Sequence, residues 1–131
     1  MRGRTISPGK TQGFALVSQE PVSFYGGIDV TTGIVIEKGH ELEGKCVKDK
    51  ILVFPQGKGS TVGSYVLYGL KKNGVAPKAI INRETETIVA TGSILAGIPT
   101  IDGIDITEIK TGDRLIVDAD KGTVEFGGKT F

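Results

Sequence analysis

The chain has 131 residues, one domain's length, and 20 of them are glycine, about twice the usual share, against 5 Phe, 3 Tyr and no Trp. Glycine weakens helices through backbone entropy, which argues against a helix bundle or coiled coil, while 38% hydrophobic and 24% charged residues suit a globular domain rather than a disordered one. With 16 Lys and Arg against 15 Asp and Glu the net charge is +1, so no one-signed field is available to hold a nucleic acid backbone or an anionic membrane, and neither is expected as a partner.

No repeat, low-complexity tract or linker divides the sequence, which reads as a single domain over residues 1–131 with a short flexible N-terminus of about residues 1–10. Short β-rich runs come first, Gly13 to Ser18, Val22 to Phe24, Gly33 to Ile36 and Cys46-Val47, and predict a meander or small barrel-like layer. Ile51-Leu52-Val53-Phe54-Pro55 follows, a continuous apolar run that predicts a strand buried on both faces. After the loop Gln56 to Ser60, the residues Val62, Tyr65, Val66, Gly69 and Leu70 recur at helical spacing and predict a helix packed on a sheet, with Ser60 as a natural N-cap, Lys71 and Lys72 at its negative end and Asn73-Gly74 as its stop. A second unit repeats the pattern: Lys78 to Asn82 as a short buried strand, Glu84 to Ala96 as a helix ended by Gly97, and Pro99-Thr100-Ile101 as a strand. Gly112 to Asp118 and Thr123 to Phe126 predict a closing hairpin through Gly122.

The N-terminal Met1-Arg2-Gly3-Arg4 is followed by polar residues rather than the apolar core of a secretory signal. The longest uncharged stretch, Ile88 to Ile101, is too short and too polar to span a membrane. The lone Cys46 has no internal disulfide partner and no Cys/His cluster accompanies it, so no metal site is expected within the chain and a reducing, cytoplasmic setting fits best.

A glycine-rich loop between a buried strand and a helix N-terminus presents unpaired N–H groups and the positive dipole end, which suits an anion, and Lys58 adds a full charge. The order Lys58-Gly59-Ser60-Thr61 lacks the consecutive Gly, Lys and Ser or Thr of a nucleotide-binding P-loop. Ser60 has two readings, a helix cap or a hydroxyl whose pKa the dipole, the N–H groups and Lys58 lower until its alkoxide serves as a base. Gly26-Gly27 is either a plain tight turn or a loop brought close to a ligand, and Asp29 either orients a site lysine or caps that turn. His40 reads as an exposed loop histidine, and Asp102, Asp105, Glu108, Asp118 and Asp120 as solvated loop charges.

Three segments, Pro55 to Tyr65 with its Gly57-Lys58-Gly59-Ser60-Thr61, Phe24-Tyr25-Gly26-Gly27-Ile28-Asp29, and Asn73 to Asn82, closely resemble the small subunits of the aconitase X family, and the likeness runs from about Gly13 to Phe126. The resemblance implies an α/β fold, a swivelling β/β/α domain like the mobile domain of aconitases, docked on a large partner subunit that carries a [4Fe-4S] cluster. Similarity to the stand-alone archaeal small chains of that family implies a hydro-lyase that dehydrates (R)-5-phosphomevalonate, a small phosphorylated hydroxy acid, to trans-anhydromevalonate 5-phosphate on a route to isoprenoids. It gives Ser60 the role of general base toward the C2 proton, the partner's cluster that of Lewis acid at the C3 hydroxyl, and Gly57, Lys58, Gly59, Thr61, Gly26, Gly27 and Asp29 places around the substrate. The family commonly carries Trp beside the Gly-Gly where this chain has Tyr25.

Other readings stand beside this one: a dehydratase of the same family acting on a hydroxyproline, or a non-catalytic anion-binding partner in which Ser60 only caps its helix. A phosphohistidine swivelling domain would need a histidine in its active loop, and Thr91-Gly92-Ser93-Ile94-Leu95 has none.

Overall fold

The computed structural model describes residues 1–127. In chain order the elements are β1 (Arg4–Ser7), β2 (Lys10–Val17), β3 (Val22–Ser23), β4 (Ile51–Phe54), β5 (Gly57–Lys58), α1 (Gly63–Lys72), β6 (Ala79–Asn82), α2 (Thr87–Ala96), β7 (Thr100–Asp102), a 3-10 turn (Ile106–Glu108), β8 (Arg114–Asp118) and β9 (Thr123–Phe126). A 7-stranded sheet runs β1-β7-β6-β4-β2-β8-β9. Its middle strands β7, β6, β4 and β2 are parallel, and β1, β8 and β9 join antiparallel.

Side chains alternate across a strand, and β4 shows what that does here. Leu52 and Phe54 face a core shared with Leu67 and Leu70 of α1 and Val89 of α2, while Ile51 and Val53 face a second core with Ile101, Ile104, Ile106, Leu115, Val117 and Val124. One face of the sheet therefore carries the helices, and the other is covered by the 3-10 turn and the β8–β9 hairpin. All of β4 is fully buried, as its unbroken apolar run predicts.

The first β-rich runs do not form a layer of their own. β2 enters the main sheet between β4 and β8, because Ala15, Leu16 and Val17 are apolar on both faces and pair in parallel with Ile51, Leu52 and Val53. Gly33 to Ile36 and Cys46-Val47 make only isolated bridges, Ile28 with Val35 and Ile34 with Cys46. Positive φ at Gly26, Gly33, Gly39 and Gly44 turns that segment too often for strands to grow.

Residues 1–10, expected as a flexible lead, instead hold β1 and the start of β2. The sequence reading missed this because what holds β1 lies about a hundred residues away: Arg4 and Thr5 pair with Asp102 and Ile101. Farther out, the amide of Gly3 donates to the carbonyl of Gly122 at 2.7 Å and that of Val124 to Met1 at 2.8 Å, so the two outer edges of the sheet meet.

Asp102 is likewise not a solvated loop charge. It is buried, accepts both arms of the Arg4 guanidinium at 3.0 and 2.8 Å, and accepts the Thr85 amide at 2.9 Å. Burial pushes its carboxyl up, but Arg4 and the Thr85 amide outweigh that and hold it below the usual carboxylate value. Asp102→Ala is expected to lose about 1–3 kcal/mol at neutral pH, read by urea unfolding. Because the folded-state value is depressed, the carboxylate's contribution is present at neutral pH and fades as pH falls below about 4, so the gap between the two proteins should close in acid.

Candidate active site

The site is assembled by the shortest strands in the molecule. Val22 and Ser23 of β3 pair in parallel with Gly57 and Lys58 of β5, which brings the Tyr25-Gly26-Gly27 turn beside Lys58 and Gly59. Ser23, Tyr25, Gly26, Gly27, Glu37, Lys58 and Gly59 line an open depression of about 390 Å³. Four of the sequence-predicted residues, Gly26, Gly27, Lys58 and Gly59, thus share one wall system, and Ser60 is the next residue in the chain after Gly59.

Gly26 sits at φ +79° with open space where a Cβ would go, whereas Gly59, Gly27 and Gly57 each have a distinct steric reason. Gly59 sits at φ +89°, and a Cβ there would lie 2.7 Å from the Ser23 hydroxyl. A Cβ on Gly27 would run into the Ser23 carbonyl and lie 3.3 Å from a carboxylate oxygen of Glu37. Gly57 is buried on β5, where a Cβ would strike the Glu86 carboxylate and approach Val89 to 2.7 Å. That carboxylate is the N-cap of α2, accepting the amides of Ile88 at 2.7 Å and Val89 at 2.9 Å. The helix therefore begins at Thr87, after the predicted Glu84, because Glu86 is extended at φ −92° and ψ 175° and caps it, while the amides of Arg83 and Glu84 go to the Pro55 carbonyl.

Ser60 and Thr61 are exposed in the turn before α1, and among the described residues their amides have no acceptor. The Ser60 hydroxyl accepts the Val62 amide at 3.2 Å, a local turn bond. The N-cap position itself falls on Val62, which makes no side-chain cap, so Ser60 is not the N-cap that its position predicts. Its Oγ stands in front of a 10-residue helix whose dipole is positive at that end.

The packed face of α1 is rotated from the predicted stripe. Gly63, Ser64, Leu67 and Leu70 are buried, whereas Val62 and Tyr65 are exposed. The neighbour decides this: a Cβ on Gly92 of α2 would lie 2.6 Å from Leu67 and 3.0 Å from the Ser64 carbonyl, so the helices cross where only small residues fit. Ser64 donates its hydroxyl to the Ile88 carbonyl at 3.0 Å there, and Thr61 turns toward this interhelical side rather than the depression.

Asp29 stands apart from the depression and accepts the Thr31 amide at 2.8 Å, so it caps the turn that follows it rather than the Gly26-Gly27 turn. Lys58 instead pairs with Glu37, Nζ to Oε2 at 2.8 Å. Sequence reasoning missed Glu37, which lies 21 positions from Lys58 in a polar turn and is brought over only by the β3–β5 pairing and by bonds from the Ile36 and Glu37 amides to the Gly27 carbonyl. His40 is buried rather than exposed. Its Nδ1 accepts the Leu42 amide at 3.0 Å, which leaves Nε2 to donate to the Pro21 carbonyl at 2.9 Å, a structural role away from Ser60.

Cys46 is half-buried with its thiol on the Thr32 carbonyl at 3.5 Å, and among the described residues no group of three or more His, Cys, Asp and Glu could hold a metal. These residues do not fit an iron–sulfur cluster. No helix among them is long and apolar enough to cross a membrane. A larger depression of about 460 Å³, lined in part by Lys10, Asp49, Lys71 and Lys78, contains none of the glycine-loop residues and no serine.

A strand, a glycine-rich turn bearing an exposed serine and a helix, laid on a sheet with helices on one face and β structure on the other, define a swivelling β/β/α domain, and the chain belongs to the aconitase X family: the model of the aconitase X swivel domain matches residues 1–126. Among its relatives, the phosphomevalonate dehydratase small subunit of Thermococcus sibiricus is 60% identical over 95% of both chains, and that of Methanocaldococcus jannaschii is 55% identical over 98% of both. A crystal structure of Thermococcus kodakaraensis aconitase X in its holo-form superposes with a TM-score of 0.94 at 56% identity, covering 95% of each chain.

Proposed function

We propose that this chain is the small subunit of a cytoplasmic phosphomevalonate dehydratase, and that it brings the base of the reaction to a site completed by a larger subunit. Water is lost from (R)-5-phosphomevalonate by removal of the C2 proton and the C3 hydroxyl, giving trans-anhydromevalonate 5-phosphate. Ser60 takes the C2 proton. That proton, beside a carboxylate, is weakly acidic, so the base must be strong and its charge must be held by fixed donors.

What carries the reading is one juxtaposition: an exposed hydroxyl before the positive end of α1, next to turn amides that have no acceptor among the described residues, in the loop whose Lys58 and Gly59 line the depression. Gly26, Gly27, Lys58 and Gly59 line the substrate's anionic end, Gly57 and Thr61 support the loop through the β3–β5 pairing and from the helix side, and Asp29 caps the turn that follows the Gly-Gly segment. Lewis-acid chemistry at the leaving hydroxyl is assigned to a [4Fe-4S] cluster on the larger subunit, since the described residues here offer no ligand set. High identity over nearly the full length of relatives named for this activity supports the choice of substrate.

The chain is to be assayed for water elimination from phosphomevalonate alone and after anaerobic assembly with the large subunit. Activity is expected only in the assembled pair. Turnover by the small chain alone, or none by the pair, overturns the reading.

A further inference from the structure

We infer that Glu37 is a positioning residue that fixes the Lys58 ammonium over the depression, where it meets the anionic group of the substrate; this rests on the function proposed above. Lys58 lies on a two-residue strand with its side chain about half exposed, and a lysine so placed has wide rotamer freedom of its own. The Glu37 backbone is held on both sides. The Ile36 and Glu37 amides donate to the Gly27 carbonyl at 2.8 and 3.3 Å, and the His40 amide donates to the Glu37 carbonyl at 3.2 Å.

From that anchored backbone the carboxylate spans both glycine turns. One oxygen, Oε1, packs on Gly27 so closely that a side chain there would crowd it, and the other, Oε2, takes the Lys58 ammonium at 2.8 Å. Both residues line the same depression. An ammonium has three donors, so the bond to Glu37 leaves two for a phosphate or carboxylate oxygen of the substrate. In solvent such a pair adds little to stability, which makes its effect on where the charge sits the larger consequence.

The test uses the assembled two-subunit enzyme and four variants of this chain, Glu37→Ala, Glu37→Gln, Lys58→Met and the double variant of Lys58→Met with Glu37→Ala. Glu37→Ala is expected to raise KM for phosphomevalonate about tenfold while kcat stays within about threefold, and Glu37→Gln, which keeps an oxygen for the ammonium, to stay within about threefold of wild type. In a Lys58→Met background the added Glu37→Ala change should have no further effect on KM, because Glu37 acts only through Lys58. A KM that falls in Glu37→Ala shows the carboxylate competing with substrate and overturns the inference. So does an equal rise in the Lys58→Met background, or a rise confined to variants whose melting temperature drops. Absence of turnover in the wild-type pair overturns the proposed function, and the inference with it, whereas an active wild type with unchanged Glu37→Ala kinetics overturns the inference alone.

Discussion

Ser60→Ala is expected to lower turnover of the assembled enzyme by about 10²–10⁴-fold, the range that a positioned general base supplies. Stability should change by no more than about 1 kcal/mol, because Ser60 is exposed and its hydroxyl makes a single local bond, to the Val62 amide. That contrast separates a chemical role from a structural one. Stopped water elimination in an intact complex with an unshifted melting curve assigns the base, and wild-type turnover removes Ser60 from the chemistry. Assembly with the partner is to be checked by gel filtration in the same preparation, so that lost activity is not lost association.

The largest effect on stability is expected from Phe54→Ala, about 3–5 kcal/mol by urea unfolding. Phe54 ends β4, is fully buried, and meets Phe24 edge to face with ring centroids 5.9 Å apart. Its carbonyl also accepts the side-chain amide of the buried Asn82 at 3.0 Å. The ring pair matters for the site, since Phe24 directly precedes Tyr25-Gly26-Gly27 and is the buried peg of that turn. Phe24→Ala should therefore be non-additive with Phe54→Ala, the two sharing a coupling of about 0.5–1.5 kcal/mol. A loss below about 1 kcal/mol in Phe54→Ala would show that the core closes over the gap.

What the sequence made legible was whatever local pattern decides. Ile51 to Phe54 is apolar without interruption and lies in the middle of the sheet; Gly97 at φ +67° ends α2, and Gly122 at φ +75° turns the last hairpin. The serine loop was legible for the same reason, its residues being consecutive. Glu37, His40 and Asp102 were not, because each depends on one partner that lies 19 to 98 positions away, which no spacing rule reaches. The face of α1 shows a subtler failure: hydropathy favours Val62 and Tyr65 as the buried side, but the crossing with α2 selects by size, and Gly63 and Ser64 win. The early β layer failed through length, since bridges between single residues do not add up to strands.

The meeting of the sheet's outer edges near Gly3 and Gly122 restricts how another protein can hold this one. An open edge would offer a ladder of backbone groups to any passing strand, the route by which sheets add a foreign strand or stack into aggregates. Here much of that ladder is satisfied within the chain. Recognition of this sheet is left to side chains and turns, a mode in which contacts are individually small and releasable.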